Sequence, residues 1–311
     1  MIRPTTFVKC ALAASITLIA TSLTQAAPLP IAGDYNTFVF GNANLTSDTQ
    51  GRLAVGGDLV ISNYSVGDQL TPTDIAHNSD VLVVGGSLNF NSGHIYHGNA
   101  IISAPPSQNN IPQSASIDGQ YFQGAPSPID FNAAKTALSN YATQLTHLAS
   151  NGSVIQQWGG ITLSGDNTSP LQIFDLNATD LLNSHTLNLN NVAQDATVLI
   201  NVTGDTAGMT NMGLFGFESI RQNVLFNFAD ATSLTLQGIG VQGSVLAPNA
   251  SLTNGQGVIW GQIILDSMQG NLQQNLASFD GDLPPIPEPT TTALLATSSL
   301  ILLTRRNRKT S

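Results

Sequence analysis

The segments VQGSVL (residues 241–246) and VIWGQII (residues 258–264) carry the pattern on which the fold prediction rests. In each, short apolar runs flank a glycine and a polar residue, which is typical of strands that turn sharply at a corner. Similar short runs occur at residues 52–55, 59–61, 81–84, 101–102, 197–200, 224–226 and 234–236. Such strands favour a mainly β fold in which coils stack by parallel pairing as a β-solenoid. A β-sandwich is the alternative.

The corners themselves carry small and polar residues. The pairs Gly56-Gly57 and Gly85-Gly86 are predicted to form tight turns with positive φ, where a side chain would be strained. Asp34, Asp58 and Asn249 are predicted to cap turns by accepting hydrogen bonds from local backbone amides. We therefore interpret these residues as structural.

One segment departs from the strand pattern. Apolar residues recur at spacings of three and four from Phe131 to Leu148, which predicts an amphipathic helix of about six turns. Ser127 fits as its N-cap and Asp130 as the capping-box partner, while Gly152 is predicted to end it. Its apolar stripe is expected to pack along the solenoid.

The N-terminal residues 1–26 have the features of a secretory signal peptide. A basic start precedes the apolar stretch at residues 10–23, and small residues follow at Ala26 and Ala27, where cleavage is expected. Cys10 is the only cysteine of the chain, so the exported domain has neither disulfide nor thiol chemistry.

The C-terminal residues 284–311 form a tail with three parts. Pro287-Glu288-Pro289 precedes a short apolar segment, and a basic end follows at Arg305, Arg306, Arg308 and Lys309. This tail resembles the PEP-CTERM sorting signal of Gram-negative bacteria. The resemblance implies processing by an exosortase-type transpeptidase, transient anchoring in the inner membrane through the tail alone, and delivery to the cell surface or extracellular matrix.

The region between the two signals, residues 28–283, resembles a second family. Residues 31–67 look like the opening of the choice-of-anchor A domain, and residues 226–228, 238–250 and 257–265 are similar to its second motif block. The resemblance implies a surface adhesin. The layout, with an inserted helix and glycine-rich closing coils, is also similar to ice-binding-like β-solenoid adhesins.

Residues 28–286 are strongly acidic. They contain 18 acidic residues against the basic residues Arg52, Lys135 and Arg221, a formal charge of −15. Nucleic acid and anionic lipid need clustered cations, so the domain is not expected to bind either. A polysaccharide lyase would need a basic residue at its site, and only these three are available.

We predict no catalytic or metal-ligating residues and no cofactor. His94 and His97 are the nearest approach to a metal pair, but residues three apart on a strand point to opposite faces, so they would share a metal only across a turn. Calcium stays open as an alternative, although the regular aspartate spacing of a calcium loop is missing.

The sequence thus predicts an exported adhesin that binds extracellular polysaccharide or another matrix ligand without catalysis. Exposed aromatic residues are expected to meet the glycan, and Tyr64, Tyr96 and Trp158 are the candidates. A purely structural matrix or biofilm component is the closest alternative, followed by a polysaccharide-degrading β-helix enzyme.

Overall fold

The computed structural model of the protein describes residue 29 and residues 31–285. The predicted signal peptide, its cleavage at Ala26 and Ala27, the Pro287-Glu288-Pro289 motif and the basic end beyond it lie outside these residues and remain predictions. Within the described part, no helix is both long and apolar enough to cross a membrane.

The described chain is mainly β. Its strands are β1 (Thr37–Val39), β2 (Ala43–Leu45), β3 (Leu53–Val55), β4 (Leu59–Ile61), β5 (Tyr64–Val66), β6 (Asp80–Val84), β7 (Leu88–Phe90), β8 (Gly93–Ile95), β9 (Asn99–Ile102), β10 (Ala115–Ile117), β11 (Tyr121–Gln123), β12 (Ser153–Gln157), β13 (Gly160–Ser164), β14 (Leu171–Asn177), β15 (Thr186–Asn190), β16 (Thr197–Thr203), β17 (Thr206–Thr210), β18 (Gly213–Phe215), β19 (Val224–Asn227), β20 (Ser233–Gln242), β21 (Ser244–Trp260) and β22 (Ile263–Asn275). The helices are α1 (Pro72–His77), α2 (Phe131–Leu145) and α3 (Ala178–Leu182), with 3₁₀ turns at Pro106–Gln108 and Glu218–Asn223.

The paired strands run parallel, apart from β12 and β13. The largest sheet has the order β11-β9-β6-β3-β1-β22-β21-β19-β16-β14, and two smaller sheets have the orders β10-β8-β5 and β12-β13-β15-β18. The prediction of a mainly β fold is confirmed. Parallel pairing is the arrangement that a solenoid needs, whereas the sheets of a β-sandwich are antiparallel.

The chain enters the largest sheet at its middle. From β1 it moves strand by strand to β11 at one end, continues through α2, and resumes at β14 at the opposite end. It then returns inward until β22 pairs with β1, where Thr37 lies opposite Ile263. The two halves of the domain therefore meet at a central seam between β1 and β22.

The glycine corners that follow paired strands lie directly over one another. Segment 241–246 is split at Gly243, which has a φ of +145°. A Cβ on Gly261 would lie 2.2 Å from the Gly243 carbonyl oxygen, and one on Gly85 would lie 2.3 Å from that of Gly56. The prediction that Gly56-Gly57 and Gly85-Gly86 need positive φ is wrong, because none of these four has it. The close backbone approach excludes a side chain there instead.

Helix α2 is shorter than predicted. It covers Phe131–Leu145, and its N-cap is Asp130, whose side chain accepts a 3.0 Å hydrogen bond from the Ala133 amide. Ser127 instead accepts from the Ile129 amide in a turn before the helix. The end predicted at Gly152 is wrong, because the helix already stops at Leu145. Gly152 instead packs against the Phe174 ring, where a Cβ would lie 2.1 Å from a ring carbon.

The apolar stripe of α2 covers the largest sheet, as predicted. Five side chains of the helix are buried in one apolar cluster with side chains from most strands of this sheet. The helix contributes Ala134, Leu138, Tyr141, Ala142 and Leu145, and the sheet contributes, among others, Phe38, Val83, Leu199, Leu246 and Ile264. Two buried asparagines of the sheet also hold the last turn of the helix. Asn227 donates to the Ala142 carbonyl at 2.8 Å, and Asn201 donates at 3.1 Å to the Leu145 carbonyl, which also accepts from the Leu148 amide. The sheet thus supplies hydrogen bonds to carbonyls at the end of the helix.

Candidate surface-binding face

The sheet β12-β13-β15-β18 has one side in the core and one side in solvent. One residue from each of its four strands pairs with the next across the sheet, so the four form one row on the same side: Ile155, Thr162, Asn188 and Phe215. The alternate residues Ile161, Leu163, Leu187 and Leu189 are buried in the core. We call the solvent side of these four strands, together with the β12–β13 turn, the terminal face.

The terminal face combines apolar and neutral hydrogen-bonding side chains. Ile155 is 51 % exposed and Phe215 is 56 % exposed, one at each edge of the row, with Thr162 and Asn188 between them. A shallow depression of about 300 Å³ is bounded by Ile155, Gln157, Trp158, Gly160, Thr162, His185, Thr186 and Asn188. The four strands contain no Asp, Glu, Lys or Arg, although the domain as a whole is acidic. An uncharged extended ligand would meet no unpaired charge on them.

Trp158 projects from the turn that joins β12 and β13. Trp158 has a φ of +48° and Gly159 a φ of +76°, as a type I′ two-residue turn requires at both central positions. Asparagine occupies five of the eight non-glycine positions with positive φ in the described chain, and a bulky residue there is strained. Trp158 is nevertheless 93 % exposed. An almost fully exposed aromatic ring on a strained backbone is the feature of this face that most clearly indicates a ligand contact.

His185, the residue just before β15, holds this turn in place. Its backbone amide donates to the Gly159 carbonyl at 2.8 Å. Its ring Nε2 lies 3.0 Å from the Trp158 carbonyl oxygen, which can only accept, so Nε2 carries the proton. The orientation of the Trp158 backbone is therefore set by two contacts from one residue.

The predicted histidine pair lies in another sheet. Asp118 joins the two residues: its carboxylate is 2.6 Å from His94 Nε2 and accepts from the His97 backbone amide at 2.8 Å. These hydrogen bonds, the one from His97 first, hold the pKa of Asp118 below its usual range. Tyr96 stacks on the His94 ring at 3.9 Å. Nowhere in the described residues do three His, Cys, Asp or Glu side chains gather as metal ligands.

The prediction that Tyr64 is a ligand contact is wrong. Tyr64 is fully buried, and its hydroxyl is 2.6 Å from Thr49 Oγ1 and 3.0 Å from Gln274 Oε1. Burial raises the pKa of this phenol far above its usual value. Tyr64 is thus part of the core, because its side chain points inward from β5. Of the three aromatic candidates, Trp158 alone is on the terminal face.

The predicted turn caps have distant partners. Asp58 accepts from the Ser87 amide at 2.7 Å, 29 residues further along the chain. Asn249 accepts from the Ser139 hydroxyl of α2 at 3.1 Å, and the Asp34 carboxylate is 3.6 Å from the His77 ring. The prediction of local caps is wrong, because residues distant in sequence supply the partners.

The three basic residues of the domain lie at separate places. Arg52 is buried and donates to the Asn78 carbonyl at 2.6 Å, after helix α1. Lys135 is 2.5 Å from Asp266. Arg221 is 3.3 Å from Glu218 and stacks over the Trp260 ring at 5.4 Å. Each cation therefore already has a partner within the protein.

Most of the terminal face was not identified from the sequence. The sequence analysis predicts none of these residues as site residues, because strands β12, β13, β15 and β18 are short and uncharged: Ile155, Thr162, Asn188 and Phe215. The strict apolar–polar alternation of residues 160–164 and 186–190 is the signal that indicates a sheet with one solvent side.

A mainly β domain that presents a continuous, uncharged sheet surface to solvent belongs to the class of surface-binding β proteins. More particularly, the chain belongs to the family described as "Putative Ice-binding-like adhesive domain", whose model matches residues 28–276. This membership confirms the predicted adhesive domain and its similarity to ice-binding-like adhesins. An adhesive domain acts outside the cell or at its surface, which agrees with the predicted location.

No curated protein matches the chain. Among solved structures, an ice binding protein from an Antarctic biological consortium is similar, with 11 % sequence identity and a TM-score of 0.30. The alignment covers 84 % of this chain and 94 % of that one.

Proposed function

We propose that the protein is an exported adhesin that binds extracellular polysaccharide through the terminal face. The observation that carries the proposal is Trp158, a fully presented ring held in a strained turn beside a row of neutral polar and apolar side chains. Sugar rings offer apolar C–H faces to aromatic rings and hydroxyls to Thr and Asn side chains. A ladder of strands about 4.8 Å apart repeats such contacts along an extended ligand.

The β-solenoid prediction fits this function. The parallel pairing of nearly all described strands supports a solenoid, in which stacked coils make a long and rigid surface. Family membership supports the adhesive role but identifies no ligand. The choice-of-anchor A resemblance rests on the two motif blocks of the sequence.

We further propose that the protein has no catalytic activity. Support comes from the three cations, whose partners are a helix end, an aspartate and a glutamate, so that none is free to stabilise charge on a uronate. The sorting of the protein by an exosortase-type enzyme in a Gram-negative bacterium is proposed from the resemblance of residues 284–311 alone.

The test is binding of the purified full-length protein to exopolysaccharide from the producing cell, with collagen and unrelated glycans alongside. Trp158→Ala is expected to weaken saturable binding at least tenfold, which corresponds to about 1.4 kcal/mol. Tyr121→Ala is the matched control, because Tyr121 is also an exposed aromatic residue, 53 % accessible, but lies on β11 of the largest sheet and not on the terminal face.

Each outcome has a distinct meaning. Equal binding by the wild type and both variants would exclude the terminal face as the binding surface. No saturable binding by the wild type would favour the structural matrix component. Shortened polysaccharide in the mixture would contradict the absence of catalysis.

A further inference from the structure

Strand β12 is an open sheet edge. It pairs with β13 on one side and ends the order of its sheet on the other. All five of its residues, Ser153–Gln157, are exposed, including Val154 at 38 % and Ile155 at 51 %. Open edges of this kind pair readily with another strand unless charge, proline or a bulge prevents it.

The backbone groups available on this edge follow from the hairpin. Gln157 and Gly160 flank a two-residue turn and therefore form a hydrogen-bonded pair, as do Ile155 and Thr162 two residues further on. The amide and carbonyl groups of Val154 and Gln156 consequently point away from β13. The described hydrogen bonds give them no partner in the chain.

The charge distribution selects the partner. A domain with a formal charge of −15 repels a second copy over most of its surface. Between Lys135 and Asp166, however, the chain has no Asp, Glu, Lys or Arg, and the other strands of the terminal face have none either. The β12 edge is thus a place where two acidic copies can approach without like-charge contact.

We propose that two copies of the protein pair through β12 as a two-fold symmetric dimer. Two-fold symmetry makes the two β12 strands antiparallel, with Ile155 opposite Ile155 of the second copy and Val154 opposite Gln156. The free groups of Val154 and Gln156 then exchange four hydrogen bonds across the interface. The sheet becomes eight-stranded, and the two terminal faces form one continuous surface.

A thiol at the centre of the interface tests this register. Ile155 and its symmetry mate form a non-hydrogen-bonded pair, whose Cα atoms lie about 4.5 Å apart, within the range that a disulfide spans. In full-length protein carrying Cys10→Ser, which removes the native cysteine, Ile155→Cys is expected to give a disulfide-linked dimer on mild oxidation. Phe215→Cys is the matched control, exposed on the same face but three strands away, and is expected to stay monomeric.

Sedimentation equilibrium supplies an independent measurement. Ile155→Lys places two like charges opposite each other and is expected to raise the dimer dissociation constant at least about tenfold. Thr162→Lys, on the neighbouring strand and the same face, is expected to leave it within about threefold. A monomeric wild type at about 100 μM, or equal cross-linking of both thiol variants, would overturn the proposal. Because no polysaccharide is present, these results are independent of ligand binding.

Discussion

Replacing Gln262 by leucine tests the internal bonding of the domain. Gln262 is the polar residue of segment 258–264, and it is only 1 % exposed. Its amide nitrogen donates to the carbonyl oxygens of Gly33 at 2.7 Å and Tyr35 at 2.9 Å. Its oxygen accepts from the Phe279 amide at 3.2 Å. One side chain therefore joins the first and the last segments of the described domain.

Leucine has a similar volume but makes none of these bonds. Gln262→Leu removes these partners from the buried Tyr35 carbonyl, the buried Phe279 amide and the half-buried Gly33 carbonyl, and each buried group left unpaired costs about 1–3 kcal/mol. We expect the free energy of unfolding to fall by at least about 3 kcal/mol, measured by urea denaturation with an unchanged m-value. The control is Gln269→Leu, the same substitution at an exposed position of β22.

A loss of less than about 1 kcal/mol relative to the control would refute this reasoning, because it would mean that water or rearranged backbone replaces the glutamine. A changed m-value would have a different meaning. It would indicate that the two halves of the domain no longer unfold together.

Three further predictions concern the turn, the carboxylates and the tail. Trp158→Asn is expected to stabilise the fold by about 1 kcal/mol, because asparagine tolerates positive φ, while it weakens polysaccharide binding; a stability unchanged in urea would contradict strain at the turn. Hydrogen bonds hold the pKa of four described carboxyls below the usual value, so the unfolded chain binds more protons in acid, and the urea midpoint should fall as the pH drops from about 5 to 3. These four carboxyls are those of Asp58, Asp74, Asp118 and Asp166. An equal urea midpoint at pH 5 and pH 3 would exclude this linkage between protonation and stability. The surface form is expected to lack residues Thr290 to Ser311, and an intact mass that includes them would contradict the sorting proposal.

The strands of the first and last thirds could be predicted because their short apolar, β-branched runs are bounded by Gly, Asn or Ser, which are typical turn residues. The run at residues 59–61 has the same bounds as β4, and the runs at 81–84 and 224–226 differ from β6 and β19 by one residue at one end. The antiparallel hairpin of β12 and β13 was missed because its turn is Trp-Gly instead of the usual Asn-Gly. Local sequence carries no sign that tryptophan adopts positive φ.

Burial of polar residues was the other limit of sequence reasoning. Gln262 and Tyr64 look like surface residues in a Gln- and Asn-rich chain, yet both are buried because partners more than 200 residues away satisfy them. Such partners meet only after the seam between β1 and β22 has formed. The polar residues that hold the two halves together therefore cannot be separated by local pattern from those that face solvent.

Helix α2 links the two ends of the largest sheet, and this connection sets a length rule for the domain. Each strand added to the ladder lengthens it by about 4.8 Å, and a helix rises about 1.5 Å per residue. An added strand must therefore be matched by a longer connection between β11 and β14, by about three residues where the added part is helical. We expect natural or engineered variants with more or fewer strands in this sheet to change the length of the connection that contains α2 as well.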